Sequence, residues 1–337
     1  MSSRVLLTGG AGYIGAHTYV ALLDAGFLPV ILDNFHNADR DTPDRLARIT
    51  GQAVRVVEAD LLDKSALATA FDNYQFDAVV HFAAKKAVGQ SVREPLDYIE
   101  NNCVGLVNLL KAMEVSGTGV MVFSSSATVY GAPEVLPIPE TAPLSFANPY
   151  GFTKLMGEQI LDQIARVHPD WAIGVLRYFN PAGAHDSGLL RQSPRNWSHP
   201  PENLMPRLLD AAHGRIEHLS VYGDDYDTPD GTGVRDYIHI TDLARGHVLS
   251  LQSLLSGQGG HVANLGTGQG YSVLDMIKTY ESVTNQKVPY KIEPRRTGDI
   301  AICYADVSRA RGILGFEAEH GLADMCRSSQ MDCVQDL

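Results

Sequence analysis

Short apolar runs alternate with longer amphipathic segments along the first half of the chain. The predicted strands are Arg4–Thr8, 28–32, 54–58, 77–82, 119–124 and Ala172–Tyr178. Residues 16–24 predict a helix that ends just before Gly26, a residue suited to a helix end. Because the strand runs are apolar throughout and do not alternate, the pattern predicts an α/β fold with a parallel sheet covered by helices on both faces.

The second half of the chain is less regular. Residues 186–202 are polar, contain three prolines and predict a loop. Residues 239–255 predict the end of a strand followed by a helix, and residues 273–281 predict an amphipathic helix. The last dozen residues show no periodicity and are expected to fray.

Composition narrows the classes of function. The chain has 337 residues and a net charge of −12, which argues against a general nucleic-acid or anionic-membrane binder. An anionic ligand would therefore need specific Arg or Lys residues. The sequence shows no signal-peptide pattern and no apolar run near ~20 residues, so no membrane segment is expected. Four cysteines without CxxC spacing fit a reduced, cytoplasmic protein, and twelve histidines without an HExxH motif predict no metal site.

A glycine-rich turn lies between the first strand and the first helix. The segment TGGAGYIG places Gly9, Gly12 and Gly15 three residues apart, where a dinucleotide pyrophosphate must approach the backbone and the helix N-terminus closely. Asp33 ends the second strand 18 residues after Gly15, and its carboxylate suits the ribose hydroxyls of NAD and repels the extra phosphate of NADP. The alternative is a plain turn in a flavodoxin-like sheet. Asp60, after the third strand, either contacts adenine or caps a helix.

Tyr150 and Lys154 lie four residues apart at the start of a predicted helix and therefore share a face. A nearby ammonium and a cationic nicotinamide favour the tyrosine phenolate, which could then accept a proton from a sugar hydroxyl. This spacing is common by chance, but it follows an NAD turn and the three serines that end the fifth strand, where parallel sheets bind ligands. A helix cap is the alternative role for any one of these serines.

Together these motifs resemble the extended short-chain dehydrogenase/reductase family over about residues 4–320. The matching segments are TGGAGYIG, LDN, HFAAKKAVGQSV, SSSATVYG, NPYGFTK, LRYFNPAGAH, ENLMP, DGTGVRDYIH, NLGTG and PRRTGD. The resemblance implies a Rossmann doubly wound parallel sheet that binds NAD, formed by residues 1–180 and rejoined by about 236–265. A smaller C-terminal α/β domain, residues 181–337, would bind mainly the UDP-sugar.

The resemblance also assigns roles to individual residues. The catalytic residues would be Tyr150, Lys154 and Ser126. The cofactor-binding residues would be Gly9, Gly12, Tyr13, Ile14, Gly15, Asp33, Asn34, Asp60, Leu61, Phe82, Ala83, Ala84, Lys86, Asn101, Ser124, Tyr150, Lys154 and Tyr178. The substrate-binding residues would be Lys86, Ser126, Tyr150, Phe179, Asn180, Asn203, Leu204, Ser220, Val221, Tyr222, Arg235, Tyr237, Arg296, Asp299 and Cys303. Arg235 and Arg296 would neutralise the diphosphate of the ligand, which the net negative charge of the protein would otherwise repel.

Within this family the segments imply reversible epimerisation at carbon 4 of UDP-galactose and UDP-glucose, through a transient 4-keto sugar and bound NAD. Ala127 and Thr128 stand where dehydratase members carry an Asp-Glu pair, which argues against an elimination step. Cys303 stands where glucose-restricted members carry a tyrosine, which predicts that UDP-GalNAc and UDP-GlcNAc are also accepted; the alternative is that it is merely a small buried residue. There are two competing interpretations: a 4-epimerase for UDP-arabinose or UDP-glucuronate, and a non-enzymatic NAD-sensing regulator. Because Tyr150 and Lys154 are both present, the sequence argues against the regulator.

Helices predicted around residues 92–113 and 155–167 carry more apolar positions than a core requires. By analogy with the family they would form a four-helix homodimer interface, and core packing is the alternative. Residues 188–201 and the C-terminal tail depart from the family pattern, so the contacts that they make to the sugar domain are not predicted.

Overall fold

Strands and helices alternate along the described part of the chain, which in this computed structural model comprises residues 2–190, 192, 203–296 and 298–334, with the backbone alone after residue 330. The strands are β1 (Arg4–Thr8), β2 (Leu28–Asp33), β3 (Val56–Glu58), β4 (Ala78–His81), β5 (Val120–Ser126), β6 (Ala172–Tyr178), β7 (Asn180–Ala182), β8 (Leu219–Tyr222), β9 (Val234–Arg235), β10 (Tyr237–His239), β11 (His261–Leu265), β12 (Tyr271–Ser272), β13 (Tyr290–Glu293) and β14 (Ile302–Cys303). The helices are α1 (Tyr13–Asp24), α2 (Thr42–Thr50), α3 (Lys64–Tyr74), α4 (Val88–Arg93), α5 (Pro95–Ile99), α6 (Gly105–Ser116), α7 (Pro149–Val167), α8 (Leu204–Ala212), α9 (Ile240–Leu255), α10 (Val273–Thr284), α11 (Ser308–Leu314) and α12 (Leu322–Val334). A π-helical turn, Glu100–Val104, precedes α6, and a 3₁₀ turn, Ala127–Val129, follows β5.

Seven strands form one sheet in the order β11-β6-β5-β4-β1-β2-β3. Strand β1 pairs in parallel with β2 on one side and β4 on the other. The strand order reverses between β1 and β4, and ligands of doubly wound sheets bind outside the carboxyl ends of the strands at this switch point. The predicted doubly wound Rossmann fold is confirmed.

The core of this sheet explains why the first-half elements form where they do. Leu6, Val30 and Val79 have no exposed surface and pack in one apolar cluster with residues of α3 and α6. Helix α1 begins at Tyr13, three residues earlier than predicted, because Gly12 already has the extended backbone of a helix N-cap. The periodicity alone could not detect that start, since the first turn of α1 lies within the glycine-rich segment.

The chain divides into two compact units. Unit 1 comprises Met1–Gly131, Pro143–Arg177 and Ala244–Ala263, and unit 2 comprises Ala132–Ala142, Tyr178–Leu243 and Asn264–Leu337. Unit 1 holds the seven-stranded sheet up to Ala263 in β11. Unit 2 contains three small sheets, β10-β7, β12-β9-β14 and β13-β8, and an apolar cluster formed largely by α8, α10 and α12.

One expectation from the second half of the chain is wrong. The last dozen residues do not fray as a whole, because α12 extends to Val334 and its Met325 and Cys326 are completely buried in the unit 2 cluster. In the first half, the predicted helices around 92–113 are present as separate elements, since Pro95 opens α5 and the π-helical turn separates α5 from α6. The predicted loop over 186–202 lies mostly outside the described residues.

Candidate active site

At the carboxyl end of β1, the backbone of the glycine-rich turn lies very close to the backbone of other residues. Gly9 has φ +69°, and a Cβ on it would lie 2.7 Å from the backbone N of Ala83. A Cβ on Gly15 would collide with the carbonyl oxygen of Gly9. Gly12 offers no capping side chain and the first turn of α1 contains no acidic residue, so the positive end of the helix is open to an anionic ligand. The turn therefore fits a pyrophosphate.

Asp33 holds the turn from the neighbouring strand. Its buried carboxylate accepts the Ala11 N–H (3.0 Å) and the Phe35 N–H (2.9 Å), while burial raises its pKa. Beside it the amide of Asn34 donates to Asp60 (2.7 Å). Carboxylates suit the two free hydroxyls of a ribose and oppose an added phosphate. The residues present thus fit NAD.

The other residues predicted to line the cofactor follow β4 and the π-helical turn. The backbone N–H groups of Phe82 and Ala83 both donate to Thr8 O, which joins this segment to the glycine-rich turn. Although Lys86 is exposed, the surrounding protein atoms desolvate its ammonium and lower its pKa to about 8. Asn101 lies in the π-helical turn, a feature frequent at functional sites. Ala84 is partly buried, and Leu61 belongs to the sheet core.

Tyr150 and Ser126 meet in unit 1. Asn148 caps α7 through a 2.9 Å bond from the Gly151 N–H, and Pro149 fixes the first turn, so Tyr150 is set at the start of the helix. Its phenol is hydrogen-bonded to Ser126, at the end of β5. Burial raises the pKa of Tyr150 to about 12, and the bond to Ser126 opposes that rise. Tyr150 therefore needs further positive charge to act as a base near neutral pH.

Lys154 supplies positive charge next to Tyr150. Its ammonium lies 6.0 Å from the centre of the Tyr150 ring, 5.2 Å from that of Phe123, and donates to Ser124 O at 2.6 Å. Burial lowers the pKa of Lys154 to about 8, while Cys103 and Glu158 act in the opposite direction. The three predicted catalytic side chains are thus gathered by one strand end and one helix.

Several buried polar residues of unit 1 were missed. Asn102 accepts the Lys85 N–H (2.8 Å), donates to Lys85 O (3.0 Å) and donates to Thr153 Oγ1 (2.9 Å), so it joins the loop before α4 to α7. Glu158 and Arg177 form a buried ion pair (2.6 Å) next to the catalytic helix and strand. Helical spacing from Lys154 could have indicated Glu158; nothing in the sequence indicated Asn102.

In unit 2, Arg235 and Cys303 lie opposite each other on paired strands β9 and β14. The Arg235 guanidinium donates to Val234 O (2.8 Å). The next residue, Asp236, is buried, and its carboxylate accepts four hydrogen bonds from residues 267, 268 and 305. Asp236 was also missed. Cys303 is buried, which raises the pKa of its thiol to about 11 and keeps it neutral.

A second predicted phosphate ligand of unit 2, Arg296, stacks on Tyr222 (4.5 Å from guanidinium carbon to ring centre) and pairs with Asp299 (2.9 Å). The guanidinium is half-exposed and prearranged by an aromatic face and a carboxylate. Such a group can turn toward a diphosphate, so unit 2 has basic side chains for the anion that the net charge of −12 would otherwise repel.

The remaining predicted substrate residues also lie in unit 2. Asn180 starts β7 and is exposed, whereas Phe179 is buried, as is Tyr178, which was predicted to bind the cofactor. Asn203 precedes α8, which begins at Leu204, and Ser220 is half-buried in β8. Val221 and Tyr237 belong to the apolar cluster, so their side chains are part of the core. Among the described residues no group of His, Cys, Asp and Glu is arranged to hold a metal ion.

Comparison with known proteins defines the class. Residues 5–266 match the model of the NAD dependent epimerase/dehydratase family, and the chain belongs to that family. Among curated relatives, UDP-glucose 4-epimerase of Bacillus subtilis is 51% identical over 325 residues, covering 96% of this chain and 95% of the relative. The human UDP-glucose 4-epimerase is 49% identical over 333 residues, covering 97% and 95%.

Solved structures agree with these matches. A UDP-glucose 4-epimerase from Stenotrophomonas maltophila with bound NAD and formylated UDP-arabinopyranose has a TM-score of 0.96 and 46% identity, with 99% of each chain covered. The enzyme from Bifidobacterium longum with NAD+ and UDP has a TM-score of 0.93, again at 46% identity and 99% coverage of each chain. In the described residues of this chain no helix is long and apolar enough to span a membrane.

Proposed function

We propose that this chain is an NAD-dependent isomerase that interconverts UDP-galactose and UDP-glucose by inverting carbon 4. The observation that carries the proposal is the hydrogen bond between Tyr150 and Ser126 beside the buried ammonium of Lys154. About half of the residues are identical to those of UDP-glucose 4-epimerases over nearly the whole chain, which supports the proposal. The residues that would hold NAD are the turn from Gly9 to Gly15, Asp33 and the segment after β4.

The bound NAD would supply a hydride acceptor and donor within one turnover. Tyr150 accepts the proton of the sugar 4-hydroxyl, since Lys154 and the cationic cofactor favour its phenolate. Ser126 donates a hydrogen bond to the same oxygen and holds it beside Tyr150. After the 4-keto sugar has turned over, Tyr150 returns the proton to the oxygen on the inverted carbon.

In unit 2, we assign binding of the UDP part to Arg235 and Arg296 at the diphosphate and to Asp299 at the uridine ribose. The stack of Arg296 on Tyr222 and its pairing with Asp299 support this assignment because they prearrange a cation. A firm hold on UDP lets the 4-keto sugar turn over without being released. Asn180, Phe179 and Cys303 are the residues proposed to face the sugar.

Two features distinguish epimerisation from related reactions. Elimination needs an acid–base pair after the catalytic serine, whereas Ala127 and Thr128 cannot transfer a proton at neutral pH. A non-enzymatic NAD sensor would have no use for a tyrosine coupled to both a serine and a lysine. UDP-arabinose and UDP-glucuronate remain the competing substrates.

The test is turnover by the purified protein without added NAD. With UDP-galactose, a coupled assay for UDP-glucose should show steady formation of product, and acid treatment should release about one NAD per chain. An NAD sensor would give NAD but no product. Faster turnover of UDP-arabinose or UDP-glucuronate than of UDP-galactose in the same panel would move the assignment to that substrate.

We further propose that the protein is a cytoplasmic homodimer. The buried thiols of Cys103, Cys303 and Cys326 fit a reducing compartment. On α4 and α5, Val92 and Leu96 are 62% and 77% exposed, which is unusual for apolar side chains so close together and supports an interface. Sedimentation equilibrium tests the dimer, and charged substitutions at these two positions should give monomer.

A further inference from the structure

Ser125, the middle one of the three serines that end β5, has a different hydrogen-bond partner from Ser124 and Ser126. Ser125 is completely buried, and its hydroxyl donates to the carboxylate of Glu158 in a close contact. Side chains alternate across a strand, so Ser125 and Ser126 lie on opposite faces, and Ser126 meets Tyr150. Glu158 lies one helical turn after Lys154, whose ammonium is bonded to Ser124 O. Strand β5 and helix α7 are therefore tied at two adjacent points.

Glu158 is held from the other side by β6. Arg177 donates from Nε to both carboxylate oxygens (3.0 and 3.2 Å) and from its terminal nitrogen to Oε2 (2.6 Å), and it also donates to the Tyr130 hydroxyl (3.1 Å). Burial alone would lower the pKa of Arg177, but the carboxylate outweighs it and raises that pKa. A buried ion pair contributes little net stability compared with apolar packing, so its place against the catalytic helix needs another explanation.

We propose that Glu158 is a positioning residue for the Tyr150, Lys154 and Ser126 group: through Ser125 and Arg177 it fixes α7 against β5, and its charge keeps Lys154 in the ammonium form. The inference rests on the proposed role of Tyr150 as base. Its first test requires no turnover, so failure of the inference and failure of the proposed function give different results.

The charges around Lys154 determine what removing Glu158 should do. The ammonium faces the Ser124 carbonyl and the ring of Phe123, and His81, stacked on that ring, is neutral because burial lowers its pKa to about 3. The anionic forms of Glu158 and Cys103 raise the pKa of Lys154, while burial raises the pKa of the Cys103 thiol and keeps it neutral. Glu158, itself paired with Arg177, is thus the carboxylate that acts on Lys154.

The first experiment follows the ionisation of Lys154 directly. The chain has eight lysines, so protein labelled with ¹³C at lysine Cε gives a simple spectrum, in which Lys154→Met identifies one signal. Replacing Glu158 by Gln keeps the shape and the hydrogen-bonding oxygen but removes the charge. We expect the midpoint of the Lys154 titration to fall by about one pH unit. The matched control is Asp162→Asn, one turn further along α7, where an exposed pair with Arg166 is lost.

The second experiment separates geometry from charge. Ser125→Ala removes the tie to Glu158 but no charge, so we expect kcat for UDP-galactose to fall about tenfold with KM and the pH profile unchanged. Ser125→Thr keeps a hydroxyl and should restore most of the rate. In Glu158→Gln the alkaline limb of the kcat profile should move to lower pH together with the Lys154 titration.

Three results would overturn the proposal: an unchanged Lys154 midpoint in Glu158→Gln, a Ser125→Ala enzyme with the kcat of the parent protein, or the same shift in Asp162→Asn. Should the unpaired Arg177 prevent Glu158→Gln from folding, Ser125→Ala and its rescue by Ser125→Thr still test the positioning role, because these variants remove no charge. Inactive parent protein with a shifted titration would refute the epimerase function and leave the positioning role in place.

Discussion

At the scale of single residues, the central problem is to obtain a phenolate from a buried tyrosine. Burial raises the pKa of Tyr150 to about 12, five units above neutral pH. Lys154 opposes this only while it is itself charged, and burial brings its pKa down to about 8. By these values Lys154 loses its proton before Tyr150 does, so the phenolate forms beside the ammonium only when the cationic cofactor adds positive charge next to Tyr150. Activity should then fall at alkaline pH as Lys154 loses its proton.

Replacing Tyr150 by Phe should lower kcat roughly a thousandfold, because the ring and its packing near Lys154 remain while the proton acceptor is lost. Stopped-assay measurement of UDP-glucose formation gives kcat, and NAD released from the denatured variant gives cofactor content. The content should equal that of the parent protein. A rate within tenfold of the parent would remove Tyr150 from the role of base.

Cys303 allows a second prediction at this scale. If the small thiol leaves space next to the sugar, the protein should turn over UDP-GalNAc at more than about a hundredth of the UDP-galactose rate. A tyrosine at this position should reduce UDP-GalNAc turnover by about a hundredfold and leave UDP-galactose within tenfold. Equal losses for both substrates, with an unchanged melting temperature, would show that Cys303 does not distinguish them.

At the scale of elements, a feature could be predicted from the sequence when the residues that determine it lie close together along the chain. Strand β1, its turn and Asp33 are marked within 33 residues by apolar runs and glycines, and the same holds for the start of α7. Asn102 could not be predicted, because its partner Thr153 is 51 residues away and a buried amide has no pattern of its own. The helix α12 was missed because Leu322, Met325 and Cys326 form only one short apolar stripe.

Gly15→Ala tests whether the turn is shaped for NAD. The added methyl group would collide with backbone atoms of Gly9 and would lie 2.7 Å from the Cα of Gly10, and backbone cannot move aside as a flexible side chain can. We expect the purified variant to lose most of its NAD, measured by absorbance after acid release. Gly312→Ala is the matched control, since no atom lies within 4 Å of its Cβ position and its φ is not left-handed. Full NAD content in Gly15→Ala would contradict the assignment.

At the scale of the whole molecule, each of the two units buries histidine and aspartate side chains. His81 in unit 1 and His239 in unit 2 are 3% and 2% exposed, and burial lowers their pKa values to about 3 and about 4. Burial raises the pKa of Asp33 and Asp236, one in each unit. Acid therefore disfavours the folded state through the histidines and favours it through the two carboxyls.

The histidines set the pH window of the last prediction. A folded pKa below the unfolded value of 6.5 means that the unfolded chain binds the proton more tightly, so stability is complete above pH 6.5 and falls as the pH drops toward about 4. At pH 5 the loss from His239 is about 2 kcal/mol. Urea unfolding at pH 7, 6 and 5 should show this decrease, and His239→Gln should remove about half of the part due to the two histidines. His36→Gln, at an exposed position, should leave the slope unchanged. A slope that His239→Gln does not alter would mean that His239 is not the buried neutral group whose bond to Ser328 holds β10 to α12.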